Sequence, residues 1–411
     1  MAIFGTLNTW IIIVAAGIVV VFMFLILPIL VHKHKKKKLA KMAAKWQKKH
    51  PGEDYVADDH KAPGLFRFIG GLIKFALFIG VLGAGVVLLP MIHQKEASKA
   101  TREKYASEAP YGQKVEVDGK NINVVVEGEG SDVLVLYPTA KVSTPYLYYK
   151  PLTSVLTSKF KVVTVEPFGY GLSDATDKER TLENAVNELH MVISSLGYTN
   201  YSIATDGFGG IPMMEYVNTY KDEVKAYYGI DSMVAKLNEY YNFVGDLDNV
   251  FGMLGRFYND FGYRRIVSTI KVDMILPQTD YTYSAEDKEL YRQMALAYND
   301  TEDQLEEIKN GPTWCTNTTK SYTPADVPSC TFVSSDYAAY IADLLSLANK
   351  SEVTYSIGGE SKTVKAADFW AEAHNNPLNE KNLNTTITGK NIATSCASDI
   401  AARMIDWFDS L

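Results

Sequence analysis

The sequence predicts an α/β fold, a doubly wound and mainly parallel sheet, preceded by two membrane-spanning helices. Three observations predict it. Two runs in the first quarter of the 411-residue chain are apolar over the thickness of a bilayer. From Val115 onward, apolar runs of strand length alternate with segments of helical periodicity, the pattern of a parallel sheet with crossover helices. At Tyr201–Val217, YSIATDGFGGIPMMEYV, a short strand enters a glycine-rich turn, and a helix follows from about Ile211.

The apolar runs come first. Trp10–Val31 carries no charge, and Phe68–Ile92 is interrupted only by Lys74. Each can cross a hydrocarbon core of about 30 Å as a helix. Neither has the polar face of a core helix. The first also lacks the positive leader of a cleaved signal and exceeds its usual apolar length of ~7–15 residues. Nine lysines from Lys33 to Lys49 lie between the runs, with no acid from His32 to His50. Basic residues concentrate on the cytoplasmic side, so this loop is expected inside. Lys74 agrees, because near the cytoplasmic end of its helix it can snorkel to the headgroups. The expected layout is an outer N-terminus at 1–9, a first span at 10–31, a cytoplasmic loop at 32–67 and a second span at 68–92. A stalk at 93–110 and an outer domain at 111–411 follow, with the cap at about 233–325. Lys33–Lys49 are expected to contact anionic lipid headgroups. Ala76, Gly80 and Ala84 recur at four-residue spacing, which allows close helix approach, to the first span or to a second copy.

The net charge is −7, and removing the nine loop lysines leaves the rest of the chain more acidic still, which argues against nucleic acid as a partner. There are three cysteines; Cys315 and Cys330 are close enough in sequence to pair if they face each other, and free buried thiols are the alternative. No cofactor or metal is expected.

In the outer domain, Val115–Asp118 and Ile122–Glu127 read as strands around the turn signal Asp118-Gly119-Lys120. Val133–Tyr137 and Val162–Glu166 read as buried parallel strands. Thr181–Leu196 places Leu182, Ala185, Val186, Leu189, Val192, Ile193 and Leu196 on one helix side. A helix to about Tyr220 follows the glycine turn, and Val224–Ile230 reads as the next strand. Met233–Ala325 is tyrosine-rich, with helices expected at Leu237–Phe243, Val250–Phe261 and Ala285–Lys309. Phe251, Met253, Leu254, Phe257, Tyr258 and Phe261 form an apolar stripe, expected to pack on the main sheet, with a substrate- or membrane-facing surface as the alternative. Val327–Ser335 reads as a strand ending at Asp336, Val353–Ile357 and Thr363–Lys365 as a hairpin, Leu383–Thr388 as the last strand, and Ala397–Leu411 as an amphipathic closing helix.

This order resembles the α/β-hydrolase family. Phe168–Asp174, FGYGLSD, matches the family's segment after the fourth strand, and Glu166-Pro167 stands where the family often has Asp-x-Pro. Thr205–Gly210 matches the nucleophile elbow, G-x-S-x-G, with Gly207 at the nucleophile position. The resemblance covers about Val115–Ser232 well and Val327–Leu411 more weakly. It implies the fold and the place of the cap. It also implies a site whose parts are missing. Gly207 has no atom to attack with. The Gly-His step after the last strand reads Gly389-Lys390-Asn391, so Lys390 replaces the base. Tyr137-Pro138-Thr139-Ala140 replaces His-Gly at the oxyanion site; proline offers no N–H, leaving Thr139 and Ala140. Asp336 matches the acid. Asp206, one residue early for an aspartate nucleophile, and Ser232 and Ser335 are the other candidates. Phe208 completes the expected pocket lining with Thr139, Ala140, Asp206, Ser232 and Asp336. His190 is expected half-packed on its helix, and His374 at the wrong end of the sheet.

Residues and resemblance together lead to the expectation of a membrane-anchored, outward-facing pseudo-hydrolase that binds a ligand or protein. Two alternatives remain: a hydrolase with a rearranged site acting on an ester, lipid or peptidoglycan-linked group near the membrane, and a structural subunit of a membrane complex.

Overall fold

A computed structural model describes residues 27–53, 55, 64–234, 257–270, 275–318, 322–347, 349–357, 360–375 and 381–411. It divides into two compact units, Met1–Ala97 with Asp260–Tyr263, and Ser98–Asn259 with Arg264–Leu411.

In the first unit, Lys33–Lys49 lie on a helix, Leu27–Lys49, where a loop is expected. The run Trp10–Val31 falls almost wholly outside the described residues. The second run lies within a helix that spans Gly64–Glu108, with Pro90 inside it. Among the described residues, its Gly71–Glu108 part is the one helix long and apolar enough to cross a membrane. Two spans are therefore expected and one candidate is found. Leu72, Ile73, Phe75, Leu77 and Ile79 are exposed along it, an apolar surface that water would not stabilise. A Cβ added to Gly80 would meet nothing within 4 Å, so among the described residues no chain covers the small-residue stripe there.

The second unit is built on a sheet of eight strands. Its strands are β1 (Gln113–Val117), β2 (Lys120–Glu127), β3 (Asp132–Tyr137), β4 (Phe160–Glu166), β5 (Tyr201–Asp206), β6 (Val224–Ile230) and β7 (Ser329–Ser334). A separate hairpin, β8 (Glu352–Ile357) and β9 (Glu360–Lys365), comes before the last strand, β10 (Asn382–Ile387). The order across the sheet is β1-β2-β4-β3-β5-β6-β7-β10. The pairs β1–β2 and β2–β4 are antiparallel and the rest parallel. Asp118 and Gly119 both have positive φ, 52° and 78°, as a two-residue hairpin turn requires. Each expected strand forms, with ends shifted by at most three residues and Val224–Ile230 unchanged.

Alternating side chains of the central strands feed two cores. Val133, Val135, Val163, Ile203 and Tyr227 point to one face, which the helices Leu182–Ser195, Gly210–Thr219, Ser335–Leu347 and Phe369–Ala373 cover. Leu134, Leu136, Val162, Ala204, Tyr228 and Phe332 point to the other, covered by Lys150–Leu156 and the closing helix Ala397–Asp409. Thr181 caps its helix by accepting the Asn184 N–H. Cys315 packs in the first core and Cys330 in the second, so they do not pair and all three cysteines are free. Burial pushes both thiols up to about 12.

The cap differs most from expectation. Leu237–Phe243 and most of Val250–Phe261 lie outside the described residues. Ala285–Lys309 is two helices, Ala285–Ala297 and Glu302–Asn317, parted at Asp300, whose φ is +55°. Thr301 caps the second by accepting the Gln304 N–H. Phe257 and Tyr258 are 53% and 40% exposed, so this part of the aromatic stripe does not pack on the sheet.

Candidate active site

The register of the sheet brings the site residues together. Tyr137 pairs with Thr205 and Asp206 with Ile230, so the segments leaving β3, β5 and β6 emerge side by side. Between β5 and the helix Gly210–Thr219 the chain makes one 3-10 turn, Gly207–Gly209. Gly207 has φ +46°, the left-handed conformation that strains a side chain and that glycine adopts freely. The two following glycines are needed for space. A Cβ on Gly209 would lie 2.5 Å from the Pro138 carbonyl oxygen, and one on Gly210 2.5 Å from that of Met233. The glycine turn after β5 is thus set by backbone conformation at its first residue and by space at the other two.

The space above Gly207 is filled. A Cβ there would come within 2.4 Å of the Thr139 hydroxyl. That hydroxyl accepts the Phe208 N–H at 3.1 Å. The Thr139 N–H in turn donates to Asp206 Oδ1 at 3.1 Å. These two N–H groups, one after the elbow residue and one after β3, are the donors an oxyanion would use. Both are taken by the chain itself. Ala140 follows, half-buried, in the next turn.

Asp206 is buried and acts as an acceptor. Besides Thr139, the Tyr149 hydroxyl donates to its Oδ1 and the Tyr148 hydroxyl to its Oδ2 at 3.4 Å. Burial pushes its carboxyl up to about 6, against the hydrogen bonds that favour the charged form. Glu166 at the end of β4 is also buried. It accepts the Leu172 N–H at 2.7 Å, the Asn123 amide at 3.0 Å and the Tyr111 hydroxyl at 3.1 Å. Burial pushes it up to about 7. Gly171, at φ +49°, leaves room for this carboxylate, since its Cβ would sit 2.0 Å from Oε2. The FGYGLSD segment is a cradle for Glu166.

The remaining candidates stand apart. Asp336 is half-buried in the first turn of Ser335–Leu347, beyond the strand end, and accepts only the Ser335 hydroxyl at 3.4 Å among the bonds found. Lys390 is exposed, and its carbonyl accepts from Ser395. Ser232 is buried, folded back over Gly229 with its hydroxyl 3.4 Å from that of Tyr227. His374 is buried beside Ser232, in a cavity it lines with Ser329 and Asn382, the first residues of β7 and β10. Its Nε2 lies 2.7 Å from the Ser232 carbonyl oxygen and its Nδ1 2.7 Å from that of Trp370, so neither nitrogen reaches a serine hydroxyl. Sequence reasoning passed over Asp231, which directly follows β6. It accepts the Ser334 N–H at 2.6 Å and the Trp370 indole N–H at 3.2 Å, and burial raises its carboxyl. A carboxylate directly after a strand was the available signal.

The cap closes the site from above. Phe208 packs against Trp314 with ring centroids 5.5 Å apart and planes tilted by 35°, and a Cβ on Gly311 would meet the Phe208 ring at 2.9 Å. Arg180, wholly buried, fastens the helix Glu302–Asn317. It binds Glu307 at 2.7 Å and Glu188 at 2.6 Å, and Tyr170 adds a bond to Glu307 at 2.6 Å. Burial disfavours the Arg180 charge, and the two carboxylates more than offset it. The Arg180 carbonyl receives the Trp314 indole at 3.0 Å and the Asn310 amide at 2.9 Å. Thr301 and Gln304 both donate to the Gly169 carbonyl. The sequence held no signal for this clamp, because its partners are about 130 residues apart.

A sheet of this order, an elbow after β5 and a cap after β6 together define an α/β-hydrolase fold. No family profile matches the sequence. Over 121 residues the chain is 28% identical to an uncharacterized protein, YbdG, of Bacillus subtilis strain 168, a stretch covering 29% of this chain and 37% of that relative. A Vigna radiata epoxide hydrolase mutant superposes with a TM-score of 0.51 at 14% identity, over 73% of this chain and 98% of that one. The enol-lactonase from Burkholderia xenovorans LB400 gives 0.45 at 12% identity, over 72% and 100%. The chain has the α/β-hydrolase fold.

Proposed function

We propose that this chain is a membrane-anchored, outward-facing pseudo-hydrolase whose large domain binds a protein or ligand without turning it over. The observation that carries the reading is the Thr139 hydroxyl, seated where a nucleophile's side chain would begin and holding one of the two oxyanion donors. Gly207 brings no nucleophile, Lys390 is solvated rather than held beside the elbow, and neither nitrogen of the buried His374 faces a hydroxyl. Three groups would have to come from elsewhere, and triad members act as a unit, so partial recovery yields little rate. Membrane anchoring is supported by the exposed apolar surface of the Gly64–Glu108 helix. On this reading 10–31 and 68–92 span the membrane, 32–67 is cytoplasmic, and 111–411 lies outside with its cap at about 233–325.

The test is labelling of the full-length protein by a fluorophosphonate probe, with ester turnover measured alongside. The expected result is no label and no turnover above background. A label that Ser232→Ala or Ser335→Ala removes would establish the rearranged hydrolase instead.

A further inference from the structure

The helix Tyr263–Ile270, YRRIVSTI, is amphipathic in the wrong sense for a soluble domain. Tyr263, Ile266, Val267 and Ile270 fall on one face by helical spacing, and Arg264, Arg265, Ser268 and Thr269 on the other. A surface helix ordinarily turns its apolar stripe to the core. Here Ser268 is buried, Arg265 reaches inward to the Ser98 hydroxyl at 3.3 Å, and Ile266 and Ile270 are 47% and 82% exposed. Phe257 and Tyr258, just before, are exposed as well. Four large apolar side chains within 14 residues of chain thus face outward, while Ser268 is buried and Arg265 turns to Ser98.

What covers this face is indicated by the residue that starts the helix. Gly262 has φ +75°, and a Cβ on it would lie 2.5 Å from the Pro90 carbonyl oxygen and 3.3 Å from Gln94 Cβ. Within the first unit, the backbone at 260–263 therefore rests on the long helix where its apolar run Phe68–Ile92 gives way to Gln94 and Lys95. That is the level at which a bilayer's hydrocarbon would end. An eight-residue helix is only about 12 Å long, so a stripe beginning at Tyr263 stays close to that level. Tyrosines beside aliphatic residues and arginines suit a headgroup boundary.

We propose that Phe257, Tyr258 and the outward face of Tyr263–Ile270 form an interfacial anchor that beds into the lipid headgroup–acyl boundary of the membrane crossed by the Gly64–Glu108 helix. The inference rests on the reading that this helix spans a membrane. A bilayer at that level buries the stripe without any further protein.

The test uses full-length protein carrying Cys396→Ser, in nanodiscs of phosphatidylcholine and phosphatidylglycerol. Single cysteines at Gly80, Ile270 and Leu347 carry an environment-sensitive fluorophore. Gly80→Cys reports the span, and Leu347→Cys is an exposed reference on the Ser335–Leu347 helix. The expected result is that lipid-borne nitroxide quenches the labels at 80 and 270, and that aqueous iodide quenches 270 at least about threefold less than 347. Iodide quenching at 270 equal to that at 347, with 80 still lipid-quenched, overturns the anchor and leaves the span standing. A label at 270 shielded from both quenchers assigns the stripe to a protein surface and also overturns it. A label at 80 that lipid nitroxide does not reach overturns the membrane reading, and the anchor with it.

Discussion

Two polar clusters lie beneath the cap, and they use their groups differently. At the elbow, Thr139, Asp206, Tyr148 and Tyr149 satisfy one another around a glycine, and the hydrogen bonds close a space where chemistry would need an opening. At Arg180, one cation and two carboxylates tie the helix Glu302–Asn317 to the body of the domain. The first cluster surrounds the glycine turn that follows β5. The second fastens a helix that lies between β6 and β7. The contrast teaches that polar residues in this domain hold structure at both places. The buried cation ties the helix Glu302–Asn317 to the helix Leu182–Ser195 through Glu307 and Glu188.

Breaking the clamp should have the largest effect. Arg180→Met leaves Glu188 and Glu307 buried without their cation, and such losses cost about 3–5 kcal/mol. Denaturant unfolding of the full-length protein in detergent should show this, and adding Glu307→Gln should recover part of it. A cost below about 1 kcal/mol would mean that the cap is held by its apolar contacts alone.

The carboxylates at the strand ends sharpen the comparison through pH. The folded Glu166 carboxyl sits at about 7, above the ordinary glutamate value, because it is buried. The native state therefore holds a proton that the unfolded chain releases at about 4.3. Stability from this group is full below that value and is lost as pH rises toward about 7. Asp206 adds a smaller fall in the same direction, ending at about 6. Glu166→Gln should remove its share, so the stability difference between variant and parent should shift by about 2–3 kcal/mol between pH 4.5 and 8. A difference that does not vary with pH would show that Glu166 titrates as a solvated group.

Much of this architecture was legible in the sequence. The central strands stand out as apolar runs bounded by turn residues, as in Val133–Tyr137 and Val224–Ile230, whereas the edge strands β1 and β10 are largely polar. The elbow was legible because only glycines fit Gly207, Gly209 and Gly210, for reasons of φ at the first and space at the others. The cap was less so. Asp300 in a left-handed conformation splits what reads as one helical run at Ala285–Lys309. The outward face of Tyr263–Ile270 could not be foreseen, since an amphipathic pattern does not say which side meets the core. Tyr148 ends the short helical turn Pro145–Tyr148, and Tyr149 is the cap between it and Lys150–Leu156; neither turn shows a periodicity long enough to read. Their role at Asp206 depends on a pairing of strands that sequence spacing does not reveal.

The central claim is that the Thr139 hydroxyl occupies the place above Gly207, and a double-mutant cycle between these residues tests it most directly. Gly207→Ala alone should cost about 2 kcal/mol, from its left-handed backbone and from contact with the hydroxyl. Thr139→Ala alone should cost about 1 kcal/mol, because the Phe208 N–H loses its acceptor. With the hydroxyl gone the added methyl has room, so the double variant should be more stable than the sum of the two by about 1 kcal/mol. Costs that add to within about 0.3 kcal/mol would contradict the account, because they would place the hydroxyl away from the nucleophile's position and leave that space open.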